Sequence, residues 1–161
     1  MDSFRLLFGF LSFVFLSSCG SDALFRQDQE TPNGWALKDT IRFSLDKSID
    51  TPSDVYIHLR NNQEYPFANI FLVVSLQAGD SLIEQDTLEY AMAKPSGEWL
   101  GTGYYAVKES KLWWKSDWQT TSTAPYHFNV AQANRANGLE EGAEYLAGIV
   151  SVGLSIETQT E

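Results

Sequence analysis

The chain is poor in the residues that most chemistry needs. It has one cysteine, two histidines and five prolines in 161 residues. A single thiol cannot close an internal disulfide, so the fold must be held by its core and its backbone ladders. His58 and His127 are far apart in sequence, and neither stands at metal-ligand spacing from the other or from the cysteine. Cations are scarce too: 11 Lys and Arg stand against 21 Asp and Glu, a net charge of −10. Binding to phosphate backbones relies on Lys and Arg displacing counterions, which argues against nucleic acid as a partner. The same balance leaves no basic face for anionic lipid. Phosphate loop, dinucleotide fingerprint, zincin helix and nucleophile elbow are all missing, and no cofactor is implied. No repeat of solenoid period is present.

What the chain does have is one apolar run at its start. Leu6, Leu7, Phe8, Phe10, Leu11, Phe13, Val14, Phe15 and Leu16 follow Arg5 and stop at Ser17-Ser18-Cys19-Gly20. A permanent membrane helix needs ~20 apolar residues, whereas this run has the length of an export signal. Leu16-Ser17-Ser18-Cys19 resembles the lipobox of bacterial lipoproteins, in which the cysteine sulfur receives a diacylglycerol and becomes the new N-terminus. The competing readings are an ordinary cleaved signal or an N-terminal anchor helix with an incidental cysteine. With two or more acyl chains, each buried methylene contributing ~0.8 kcal/mol, the product stays on its membrane. Only Asp22 lies close behind Cys19, so the export-directing acidic cluster of some lipoproteins is thin. The expected site is therefore the outer membrane, facing the periplasm.

Residues 1–18 read as signal peptide and 19–34 as a lipidated N-terminus and polar tether, ending at the Pro32-Asn33-Gly34 turn. A domain is expected over 35–157 and a frayed tail over 158–161. Within the domain the apolar period is two. Ile41, Phe43 and Leu45 alternate with polar residues, as do Val55, Ile57 and Leu59, then Tyr126, Phe128 and Val130, and finally Val150, Val152, Leu154 and Ile156. Ile70 to Leu76 is a continuous apolar run and the expected folding centre. Ser81 to Met92 and Leu112 to Lys115 supply further strands. Only Gln132 to Gly142 suits a short helix, with Gly138 as its stop. Seven to nine strands at intervals of roughly 8–12 residues predict an all-β fold, a single antiparallel β-sandwich that is jelly-roll-like or immunoglobulin-like.

His58 and His127 face opposite to the apolar sets, as surface strand residues would. Glu140-Glu141 sits among glycines and reads as solvated loop charge, since glycosidase carboxylates are paired by the fold rather than by adjacency. Trp113 and Trp114 are neighbours on a strand and must face opposite ways, so one of them is a candidate contact for a glycan or a protein, unless a loop covers it. Asp39-Thr40-Ile41, Asp80-Ser81-Leu82 and Asp86-Thr87-Leu88 resemble an O-glycosylation acceptor of exported Bacteroidetes proteins. That makes Thr40, Ser81 and Thr87 candidate sites; turn residues leading into strands are the plainer alternative.

The run from Leu59 through Arg60-Asn61-Asn62-Gln63-Glu64-Tyr65-Pro66-Phe67 to Val74 resembles the gliding-motility lipoprotein GldH family of the Bacteroidetes. The likeness continues through Asp86 to Tyr90, Trp99-Leu100-Gly101, Lys111-Leu112-Trp113, Gln132-Ala133 and Gly148 to Gly153. This resemblance implies an envelope lipoprotein needed for gliding, associated with machinery that also supports type IX secretion, with other envelope proteins of that apparatus as partners. It brings no enzyme activity with it. Arg60, Asn61, Asn62 and Tyr65 have two competing roles, shaping the loop before the central strand or touching a partner. Mass analysis of the purified native protein should find Cys19 acylated at the N-terminus and residues 1–18 gone; an intact N-terminus with a free thiol would refute the lipobox reading.

Overall fold

The structure, a computed structural model, describes residues 23–123, 125–134 and 144–159. The signal peptide, Cys19, Glu140-Glu141 and most of the interval expected to be helical lie outside these residues. Eight long strands carry the fold: β1 Ala23–Glu30, β3 Thr40–Leu45, β4 Ser53–Asn61, β5 Asn69–Ala78, β6 Ser81–Ala91, β7 Lys108–Trp118, β8 Tyr126–Gln132 and β10 Ile149–Thr158. Two short strands, β2 Trp35–Ala36 and β9 Tyr145–Leu146, pair with each other.

The long strands form two four-stranded antiparallel sheets, ordered β1-β10-β4-β7 and β3-β8-β5-β6. Counting only the eight long strands, this is 1-8-3-6 over 2-7-4-5, the strand order of a jelly roll with its two Greek keys. Of the two sandwiches the sequence allows, the jelly roll is the one formed. The layers meet through the alternating apolar residues. Val55, Ile57 and Leu59 of β4 and Val152, Leu154 and Ile156 of β10 pack against Ile70, Leu72, Val74 and Leu76 of β5 and Phe128 and Val130 of β8, all buried. Trp118 of β7 stacks edge-on against Tyr126 and Phe128 across the layers, at 5.4 and 5.2 Å between ring centroids. β5 lies inside its sheet, paired on both sides, as its apolar run predicts.

The expected tether is corrected by β1. Residues 23–30 are paired antiparallel with β10, from Ala23 opposite Glu157 to Glu30 opposite Ser151. The stretch looks polar because β1 is an edge strand whose sequence is dominated by surface residues, so apolar alternation gives no signal there. The domain therefore begins by Ala23, and β10 runs on to Thr158. Gln132, assigned to the helical interval, ends β8 instead.

Strand direction sorts the connections to two ends of the sandwich. Ala23, the 46–52 connection, the β5–β6 turn, the 119–125 connection and Thr158 gather at one end, tied by Gly79 N–H donating to the Pro125 carbonyl and by Lys47 donating to the Leu24 carbonyl. The opposite end holds residues 31–39, 62–68 and 92–107 and the β2–β9 ladder. There the 62–68 loop is pressed onto Gly148: Asn62 N–H donates to the Gly148 carbonyl at 2.8 Å, and a Cβ at Gly148 would lie 2.1 Å from the Tyr65 nitrogen. Gly148 also has φ +75°, which a side chain disfavours. Gly148→Ala should cost more than about 2 kcal/mol of stability in urea titrations, by overpacking against backbone. Gly97→Ala, at φ +86° with nothing within 4 Å, should cost only about 1 kcal/mol.

Candidate functional site

The outer face of the β1-β10-β4-β7 sheet carries the densest polar chemistry of the described residues. Register dictates its layout: Arg26 lies opposite Ser155, Asp28 opposite Gly153, Gly153 opposite His58, and His58 opposite Lys111. Gly153 leaves a gap at the middle of this face, and Asp28 fills it; a Cβ there would lie 2.2 Å from the Asp28 carboxylate. Arg26 donates to both Asp28 oxygens, at 3.0 and 3.1 Å, and to Glu109 at 3.1 Å. These side chains roof His58, which is only 3% exposed. The sequence-based expectation of a surface histidine is corrected: its ring does point outward from the core, but the face it points into is covered.

His58 Nε2 is 2.7 Å from Ser155 Oγ, and its Nδ1 is 3.1 Å from Glu109. Taken alone, that is the layout of a Ser-His-Glu triad. The remaining hydrogen bonds give it another meaning. Nδ1 faces both a donor, Arg26 Nη1 at 3.2 Å, and an acceptor, Glu109 at 3.1 Å, so it does not set the tautomer; the serine does, because the one proton of its hydroxyl goes to Glu157 and Nε2 must then carry its own. Nε2–H then donates to Ser155, and the Ser155 hydroxyl donates to Glu157 at 2.7 Å. A nitrogen that already carries a proton cannot take one from the serine. Ser155 is also fully buried, with no room for an attacked carbonyl. From His58 through Ser155 to Glu157 the hydrogen bonds run in one direction, ending where Lys111 pairs with Glu157.

Protonation follows from the same surroundings. Burial, and then the Arg26 cation, hold the His58 pKa below its ordinary value of 6.5, against the opposing pull of Glu109. Burial works against charge on Glu157, but hydrogen bonds from Lys111 and Ser155 prevail and lower its pKa. Arg26, bound to Asp28, is held above its ordinary value. Beside this network, where β7 meets Gly101-Thr102, lies a cleft of about 520 Å³ whose polar wall is formed by Arg26, His58, Glu109, Lys111 and Glu157. Among the described residues no group of three or more His, Cys, Asp or Glu is arranged to hold a metal ion.

The residues singled out from the sequence separate cleanly. Trp113 is 53% exposed on the outer face, opposite Tyr56, whereas Trp114 is 4% exposed, stacks on Phe128 and donates to Asp86 at 2.9 Å. Tyr65 is buried and donates to the Asn69 carbonyl at 2.7 Å; Asn61 is also buried, at the end of β4 opposite Ile149. Partner contact is therefore withdrawn for Trp114, Tyr65 and Asn61, whose side chains have no surface to offer. Asn62 shapes the loop, its Oδ1 accepting from Glu64 N–H at 2.8 Å, and Arg60 lies on the outer face 4.0 Å from Glu30. Thr40, Ser81 and Thr87 are exposed, on edge strands β3 and β6. His127 sits on the other sheet, 3.0 Å from Ser44. Arg26, Glu109, Lys111, Ser155 and Glu157 were missed by sequence reasoning. It takes the β1–β10, β10–β4 and β4–β7 registers together to bring them around His58.

The architecture defines a class: an all-β jelly roll behind an apolar leader that ends in a lipobox-like cysteine. The GldH lipoprotein family model matches residues 23–156. The chain is 36% identical over 158 residues, 97% of this chain and 96% of the relative, to the gliding motility lipoprotein GldH homolog of Christiangramia forsetii. It is 34% identical over 148 residues, 91% of this chain and 92% of the relative, to the gliding motility lipoprotein GldH of Flavobacterium johnsoniae. This chain belongs to the GldH lipoprotein family, and so is a lipid-anchored envelope protein associated with gliding motility. No solved structure matches it.

The His58 network predicts a pH dependence of stability. Unfolded His58 takes up a proton near pH 6.5 while the folded ring resists it, so its contribution is complete above about pH 6.5 and is lost as the pH falls toward the lower folded pKa. In urea titrations, His58→Gln, which cannot titrate, should flatten the fall in stability between about pH 7.5 and pH 5.5. An unchanged slope would remove His58 as its source.

Proposed function

We propose that this chain is a non-enzymatic docking component of the gliding apparatus, linked to type IX secretion. In this reading Cys19 carries the lipid, and the anchor holds the body on the outer membrane, facing the periplasm. The observation that carries it is the likeness to GldH proteins over more than nine-tenths of the chain. A docking role fits the outer face of the β1-β10-β4-β7 sheet, where the charged groups are tied to one another and Arg60 and Trp113 retain surface, with Asn62 partly exposed in the loop that follows β4. Its partners are other envelope proteins of the same machinery. No cofactor enters this role.

A second reading, a glycan-binding lipoprotein, is favoured by one feature: the half-exposed Trp113 indole lies opposite Tyr56, whose ring is also covered by the Lys111 ammonium at 4.1 Å. Sugar rings stack on such faces. The two readings separate by experiment. Cells lacking the protein should fail to spread over surfaces, and Arg60→Ala or Trp113→Ala protein made at normal level should restore spreading poorly. Normal spreading by the deletion strain would sink the motility role. Glycan-array binding abolished by Trp113→Ala would move the assignment to the second reading.

A further inference from the structure

The strand β1 changes what the anchor can do. Only three residues, Gly20, Ser21 and Asp22, separate Cys19 from the first residue of a paired strand. Four chain steps reach at most about 14 Å. The end of the sandwich that holds Ala23 is thus confined close to the bilayer. At that end the β5–β6 hairpin presents two adjacent apolar side chains, Leu82 at 57% and Ile83 at 51% exposure. Neighbours on a strand normally face opposite ways, one of them inward. Here a bulge intervenes: Gln77 pairs with Leu82 and Leu76 with Glu84, leaving Ile83 without a partner. Neither residue belongs to the buried core.

We propose that the sandwich docks on its own bilayer through this end, with Leu82 and Ile83 entering the headgroup interface. The bilayer is the occupant because it is the one surface that the length of chain before Ala23 holds against this end. Charge sets its kind. Asp46, Asp50 and Asp80 lie in the connections of this end, Glu84 follows the hairpin and is paired with Lys115, and Lys47 is engaged with the Leu24 carbonyl. Such an end suits a zwitterionic surface and is repelled by an anionic one. The opposite end, with the almost fully exposed Tyr104 and Tyr105, is held about 26 Å away by the length of β1. Those rings face away from the lipid.

The proposal rests on the lipid anchor at Cys19, and the test keeps the two apart. Cys19 is the sole cysteine, so in the mature lipidated chain an introduced thiol is unique. Leu82→Cys, Ile83→Cys and Tyr104→Cys proteins, each carrying an environment-sensitive dye, are reconstituted in phosphatidylcholine vesicles containing a headgroup-spin-labelled lipid. Dyes at 82 and 83 should shift to the blue and be quenched several-fold more than the dye at 104, and phosphatidylglycerol should weaken that difference. Protein that floats with the vesicles but is quenched equally at all three positions overturns docking and leaves the anchor standing. A blue shift at 82 without lipid quenching also overturns it, since a second protein copy then covers the hairpin. Protein that fails to float refutes the anchor itself.

Discussion

The structure depends on the pairing of the chain's first described strand with its last. β1 and β10 run antiparallel over the full length of β1, and β10 is in turn paired with β4. In a jelly roll this closes the first sheet: without β1, β10 would be an unpaired edge, and its outer face would lose Arg26 and Asp28. Sequence-distant pairing of this kind is slow to find and carries a large loop-closure entropy, so the local elements cannot dictate it. What favours it is burial on the other face, where Val152, Leu154 and Ile156 are fully enclosed. The ladder then contributes backbone hydrogen bonds along its length at little further entropic cost.

The same pairing decides the chemistry of the outer face. Arg26 comes from β1, His58 from β4, Glu109 and Lys111 from β7, and Ser155 and Glu157 from β10, so all four strands of one sheet meet in one hydrogen-bonded chain. Burial together with the guanidinium favours the neutral ring, and the serine proton committed to Glu157 leaves the ring proton on Nε2. An arrangement that resembles a nucleophilic triad by distance is thereby turned into a brace by proton placement. The brace also explains Gly153. A side chain there would displace Asp28, which is the group that orients Arg26 over the ring.

Much of this fold was legible in the sequence, for a physical reason that also marks where legibility ends. Strands with one buried face write their own periodicity, and β3, β4, β5, β8 and β10 were visible through Ile41-Phe43-Leu45, Val55-Ile57-Leu59 and their counterparts. The opposed faces of Trp113 and Trp114 followed from strand geometry alone. β1 was not visible, because Arg26-Gln27-Asp28-Gln29-Glu30 lies on an exposed edge and carries the composition of a linker. Losing β1 also hid the surroundings of His58. Its outward direction was readable from alternation, but its burial was not, since the covering groups come from strands 32, 51 and 97 residues away. The motif at Arg60 to Tyr65 was similarly ambiguous until Gly148 was seen pressed against it.

A body fastened this way cannot behave as a freely swinging domain. A long tether after the lipidated cysteine would have let any face of the sandwich turn to any neighbour, with an effective concentration set by the tether's length. With the lipid on Cys19, as proposed, and β1 beginning at Ala23, the two ends are unequal: one is confined near lipid, and the other is carried outward by the height of the sheets. In the proposed docking the four-strand outer face stands edge-on to the membrane, its braced charges and Trp113 directed sideways. That orientation restricts which surfaces can meet a neighbour in the same membrane. It also gives rigidity of the sheet, rather than flexibility of a linker, the task of presenting them.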